Sequence, residues 1–149
     1  MARRAHDRSP MPHRTLIATL VAMAALLASA ASAMALTSFA TPSRNIGCIG
    51  DRTEVRCDIR ETSATPPKKP KSCHFDWGDA FAVGPTGRGH GVCHSDTALP
   101  APGQKIRILK YGTSITLGRI TCASRKIGLT CKNTADHGFF LSREKIRVF

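Results

Sequence analysis

The sequence predicts a single small all-β domain, a barrel or sandwich of short antiparallel strands stapled by three disulfides. Three observations lead to it. Apolar segments are short and punctuated by Gly, Pro, Ser and Asp, and no helical period holds over ten residues. Six cysteines, Cys48, Cys57, Cys73, Cys93, Cys122 and Cys131, follow an N-terminal segment that carries none. That segment has the layout of an export signal, so the cysteines are expected to meet an oxidising compartment and pair.

The export signal is read from its three zones. Arg3, Arg4, Arg8 and Arg14 stand against one acid, Asp7. An Ala- and Leu-rich run follows from Leu16 to about Ala31, then two small-residue sites, Ala31-Ser32-Ala33 and Ala33-Met34-Ala35. Basic start, apolar middle and A-x-A site together describe a secretory signal peptide. Residues 1–35 are assigned to it, with Leu36 as the new N-terminus and Met11 as an alternative start. An uncleaved anchor is the competing reading. The run is near the lower length limit for a spanning helix, and the A-x-A sites argue against it. No second long apolar stretch follows, so no transmembrane segment is expected after cleavage.

The remaining domain, 36–149, carries 18 basic and 9 acidic residues, a net charge of +9. That balance predicts attraction to anionic surfaces: envelope polymers, phospholipid headgroups, nucleic acid or acidic proteins. Solubility alone is the bland alternative.

Asn45–Ile49 and Glu54–Ile59 read as strands flanking a turn at Gly50-Asp51-Arg52. The second alternates, with Val55, Cys57 and Ile59 on one face and Glu54, Arg56 and Asp58 on the other, as a half-buried strand does. Residues 62–72, with Pro66-Pro67-Lys68-Lys69-Pro70-Lys71, are expected to form an extended, solvated linker of polyproline character. Gly84–Gly91 is a glycine-rich loop, flexible filler or a binding loop. Pro100-Ala101-Pro102-Gly103 is a turn. Further strands are expected at 106–111, 114–123, 127–131 and 139–149, the last broken by a turn at Ser142–Lys145.

Eight residues separate Cys48 from Cys57, and eight separate Cys122 from Cys131. Each pair straddles a predicted hairpin turn, where opposed residues approach closely enough for a disulfide. Cys73 and Cys93 remain, closing a loop around Trp77. The predicted bridges are therefore Cys48–Cys57, Cys73–Cys93 and Cys122–Cys131. Structural zinc prefers closer cysteine spacing than any found here, so no metal and no cofactor is expected.

Polar chemistry gathers in the middle segment: His74, Asp76, His90, His94 and Asp96, with His137 able to approach from the tail. These could form a metal site or a general acid/base pair, or hydrogen-bond locally beside disulfides. No spacing singles out a pair, no nucleophile elbow is present, and no catalytic residue is assigned. Lys68, Lys69, Lys71 and Arg88 are candidate binding-loop residues. Trp77 is expected to be buried beside a disulfide, with Phe75 and Phe81 flanking it in an apolar setting. The aromatics are too few and too clustered for a dedicated nucleic-acid motif.

Several ordered motifs carry a resemblance. They are Phe39-x-Thr41-Pro42-Ser43-x-Asn45-Ile46-x-Cys48, Cys57-Asp58-Ile59, Cys73-x3-Trp77-Gly78 and Cys93-x2-Asp96-Thr97. Leu109-x-Tyr111-Gly112, Gly128-Leu129-Thr130-Cys131-x-Asn133 and Gly138-Phe139-x-Leu141-Ser142-Arg143 complete them. Together they resemble a family of small secreted actinobacterial proteins of unknown function, across nearly the whole mature chain. Arg44 and Asp136 stand where the resemblance predicts glycine. It implies export and a disulfide-bonded fold, and supplies no activity. The expected function is a non-enzymatic binding module, secreted or at the envelope, whose partner is an anionic envelope polymer or an extracellular protein. A small hydrolase using the His/Asp cluster, and an inhibitor or effector presenting the Gly84–Gly91 loop, are the alternatives.

Overall fold

The computed structural model describes residues 35–149; apart from Ala35, the expected signal peptide lies outside them. Among the described residues there are eleven strands and no helix. The first sheet holds β1 (Thr37–Ala40), β2 (Ile46–Gly50), β3 (Val55–Ile59), β4 (Ala80–Val83), β5 (His90–Gly91) and β6 (Arg107–Ile108), in the order β5-β4-β3-β2-β1-β6. The second holds β7 (Ser114–Leu117), β8 (Ile120–Arg125), β9 (Gly128–Asn133), β10 (Gly138–Leu141) and β11 (Ile146–Val148), in the order β11-β10-β9-β8-β7. Every pairing is antiparallel except β6 with β1. The sheets stay separate and share one core, so of the two expected architectures the closed barrel is not formed.

Several strands differ from expectation for local reasons. The segment 114–123 turns at Gly118-Arg119, because Gly118 adopts a φ of 61° that a tight hairpin needs and most residues resist. The predicted strand at 106–111 pairs only at Arg107–Ile108. β4 lies within the segment read as a loose middle. Its sequence, Ala80-Phe81-Ala82-Val83, is buried at every position, so it shows no alternation to reveal it.

The cysteine spacing sets the core. Cys48 lies directly opposite Cys57 on β2 and β3, and Cys122 opposite Cys131 on β8 and β9. Their Cα atoms are 4.1 and 4.0 Å apart, the close spacing of a non-hydrogen-bonded cross-strand pair. Cys73–Cys93 is the third bridge and no cysteine is free. Each hairpin disulfide is the centre of a four-strand row. In the first sheet the row is Phe81, Cys57, Cys48, Phe39; in the second it is Phe139, Cys131, Cys122, Ile115. The rows face each other. Cys57 Sγ lies 3.8 Å from Cys131 Sγ, a van der Waals contact between half-cystines. The Phe81 and Phe139 rings sit 6.4 Å apart with planes inclined by 42°, a favourable tilted arrangement.

Among the described residues, the two standing in place of glycine are the two non-glycine residues with positive φ, Arg44 at 56° and Asp136 at 61°. The turns keep the left-handed backbone that the resemblance implies. Aspartate tolerates it comparatively well; Arg44 is held by its guanidinium on the Gln104 carbonyl, 2.9 Å away.

Replacing Cys122 and Cys131 together by alanine should lower unfolding free energy by about 2–4 kcal/mol, measured by urea denaturation. An unchanged midpoint would show that the apolar core alone sets stability.

Candidate functional site

Of the polar residues singled out in the middle segment, Asp76, His94 and Asp96 come together through backbone groups, and no hydrogen bond joins the rings of His74, His90 or His137 to them among the described residues. Asp76 and His94 form an isolated backbone bridge: the Asp76 N–H donates to the His94 carbonyl at 2.8 Å, and the His94 N–H to the Asp76 carbonyl at 3.2 Å. The buried His94 ring then meets acceptors on both sides, Asp79 Oδ1 at 2.9 Å from Nε2 and the Asp96 carbonyl at 2.7 Å from Nδ1. Two acceptors favour an imidazolium, which donates from both nitrogens. Burial pushes the His94 pKa down, but the hydrogen bonds and the Asp79 charge outweigh it and raise the value above 6.5.

Next to it, Arg56 fills its guanidinium with carboxylates. Nε and Nη2 donate to Asp58 at 2.8 and 2.9 Å, and Nη1 donates to Asp96 at 2.7 Å. Asp58 was expected on the outward, polar face of its strand, yet it is fully buried. The segment Thr97-Ala98 lies over it, and Asp58 Oδ2 accepts from Thr97 Oγ1 at 3.0 Å and the Ala98 N–H at 2.8 Å. The same segment crosses Gly47, where a Cβ would meet the Ala98 carbonyl at 2.6 Å. The Arg56 hydrogen bond and charge hold the Asp96 carboxyl below its usual value. This network clamps a loop onto the first sheet.

His74 and His90 are exposed, and His137 is half-buried in the β9–β10 turn beside Asp136. No hydrogen bond or ion pair joins any of these three rings to another side chain among the described residues. Arg88 is exposed at the tip of the glycine-rich loop. That loop is tied down: Asn133 Nδ2 donates to the Gly84 and Gly87 carbonyls at 3.1 and 2.8 Å, and the Gly89 N–H donates to the Phe149 carbonyl at 3.1 Å.

Lys68, Lys69 and Lys71 are exposed on the proline-rich segment. This segment is anchored, not free. Trp77 Nε1 donates to the Pro67 carbonyl at 2.7 Å, and Lys69 Nζ to the Phe75 carbonyl at 2.6 Å. Trp77 is half-buried, lying against Gly91 of β5. Phe81 is in the core, whereas Phe75 is 60% exposed, so the expected apolar setting around Trp77 has only one of its two flanking rings.

A concave site lies elsewhere, at one end of the two sheets. The β1–β2 loop, the β8–β9 turn and the β10–β11 turn enclose a cleft of about 190 Å³. Its floor is polar but self-satisfied. Asn45 bonds both ways to the Glu61 backbone at 3.0 Å, and Ser142 Oγ accepts from the Lys145 N–H at 3.0 Å. Its wall carries Tyr111, 41% exposed, and Ile127, 76% exposed. Arg125, Lys126 and Arg143 surround these, opposed by Glu144. Arg143 is paired with Glu61 at 2.9 Å; among the described residues the Arg125 and Lys126 side chains have no ion pair or hydrogen bond. No histidine lines the cleft; of its hydroxyls, Ser142 Oγ donates to Glu144 Oε2 at 3.4 Å. Sequence reading used Cys122 and Cys131 to define the hairpin and passed over its tip, Arg125-Lys126-Ile127, where two cations flank an apolar residue at an exposed turn.

The sulfurs of Cys57, Cys122 and Cys131 lie within 4.8 Å of one another, but all three are oxidised in disulfides and offer no thiolate to a metal.

Among known proteins, a family of unknown function, DUF6636, matches residues 16–149, and the chain belongs to that family. No curated protein and no solved structure matches the chain.

Two outcomes follow from the clamp. Asp58→Ala should cost about 3 kcal/mol, because it removes the buried carboxylate of the Arg56 pair, leaving Asp96 as that guanidinium's remaining partner, and strands two further donors under the loop; urea denaturation measures it. The raised His94 value means its stabilising contribution is complete below about pH 6.5 and is lost as pH rises through the folded value. Urea midpoints should therefore fall between about pH 6 and about pH 8, and Asp79→Asn should flatten that slope. An equally steep slope in the variant would remove His94 as its source.

Proposed function

We propose that the protein is an exported, non-enzymatic binding module that holds an anionic partner in the cleft at the end of its two sheets. Residues 1–35 act as a cleaved signal, and the module works at the cell envelope or outside the cell. Three disulfides suit an oxidising compartment, and no helix among the described residues is long and apolar enough to cross a membrane. The carrying observation is the pair Arg125 and Lys126, without protein partners, beside the exposed face of Tyr111. Cations left unpaired at the rim of a cleft attract carboxylate or phosphate groups, and a phenol ring gives a flat apolar surface for the atoms between those groups. Partners of that chemistry are acidic envelope polymers and acidic segments of extracellular proteins. A hydrolase built on the histidines and an inhibitor built on the Gly84–Gly91 loop draw no comparable support from where those residues lie.

Charge alone would also attract anions, so the test compares equal charge changes at two places. Arg125→Glu with Lys126→Glu alters the cleft. Arg88→Glu with Arg119→Glu alters exposed turns at the other end of the sheets. Affinity for a soluble polyuronic acid should drop roughly tenfold in the first variant and change little in the second. Equal losses would reduce the binding to net charge and sink the proposal.

A further inference from the structure

We infer a second interaction surface, independent of the cleft: the loop carrying Phe75 and its neighbouring lysines docks on the face of a bilayer with anionic headgroups. Phe75 is 60% exposed, an unusual placement for a large apolar ring in a domain that buries Phe39, Phe81 and Phe139 completely. Lys69 places its ammonium at the ring's own backbone, 2.6 Å from the Phe75 carbonyl. Lys68 and Lys71, also exposed, lie on the same segment, and from Lys68 to Trp77 the single acid is Asp76. An exposed apolar residue with one cation at its backbone and two more on the adjoining segment is the chemistry that a headgroup layer over acyl chains accepts. The ammonium groups meet phosphates, and the ring enters the boundary beneath them.

The loop is rigid where it carries this surface. Cys73–Cys93 closes it, the Cys73 N–H donates to the Pro70 carbonyl at 3.0 Å, and Asp76 is bridged to His94 on both sides. Trp77 clamps the proline run from below through Pro67, while Pro66 packs on Gly78. Prolines and these ties fix the loop before contact, so docking loses little conformational freedom. A soluble polyanion would engage the lysines and leave the ring in water. The exposed ring therefore favours a surface with an apolar interior.

Trp77, the sole tryptophan, stands two residues from Phe75 and reports on the loop directly. The chain from Leu36 to Phe149 suits the test because it lies within one compact unit that holds the whole core and all three disulfides. It is titrated with phosphatidylcholine vesicles with and without phosphatidylglycerol, some with brominated acyl chains. Binding to the anionic vesicles, with quenching of Trp77 by bromine, is expected. Phe75→Ala should weaken it roughly tenfold, Phe75→Leu should retain most of it, and Lys68→Gln with Lys71→Gln should weaken it about twentyfold. Equal binding by wild type and Phe75→Ala, or polyphosphate bound as tightly as vesicles, would overturn the inference in favour of a soluble anionic polymer. Polyuronate affinity of the cleft should be the same in Phe75→Ala, so the two sites succeed or fail separately.

Discussion

The contact between Cys57 and Cys131 joins the two halves of this protein at their centre. Two hairpins, each crossed by a disulfide between directly opposed residues, meet sulfur to sulfur at 3.8 Å. The bridges fix the register of β2 with β3 and of β8 with β9, since a slip of one residue would turn both cysteines of a hairpin to opposite faces. Register in turn fixes the rows. Phe81 and Phe39 flank one bridge, Phe139 and Ile115 the other, and the rings of Phe81 and Phe139 close the core beside the sulfurs. A domain of short strands gains much from such constraints, because each covalent link removes unfolded conformations that packing alone would have to outweigh.

The outer face of the first sheet is closed by different means. Asp58 is buried by a loop, and Arg56, Thr97 and the Ala98 amide neutralise or hydrogen-bond its carboxylate. His94 extends that arrangement through Asp79 and the Asp96 carbonyl. Buried charge survives here because every oxygen has donors close by. His94, one of the histidines the sequence offered for chemistry, is thus a structural tie, and the loop it secures is joined to the segment that displays Phe75 by Cys73–Cys93 and the Asp76–His94 backbone bridge.

Exposed side chains gather where the core has no claim on them. The sheet ends present turns, and turns carry the residues that strands cannot bury. The cleft takes its walls from four turns remote in sequence and much of its charge from the tip of the second disulfide hairpin. The Phe75 loop is held at its base by Trp77 and Cys73–Cys93, which leaves its crest to solvent. Both arrangements join rigid support to exposed cation–apolar groupings, the composition expected of surfaces that meet anionic partners.

The sequence by itself determined the β class and the cysteine pairing. Both are local: alternation at Val55, Cys57 and Ile59 shows a face, and eight residues between cysteines span a hairpin. It did not reveal β4, whose four buried residues erase the alternation that marks a strand. Nor did it show that Asp58 lies inside, because the loop that covers it arrives from 40 residues away. The cleft was equally hidden. Tyr111, Arg125 and Arg143 come together only when strands remote in sequence pair into the second sheet, and no spacing along the chain encodes the distance between them. Tertiary structure decided which polar residues are ties and which are surfaces, since that depends on what lies across the fold from each side chain.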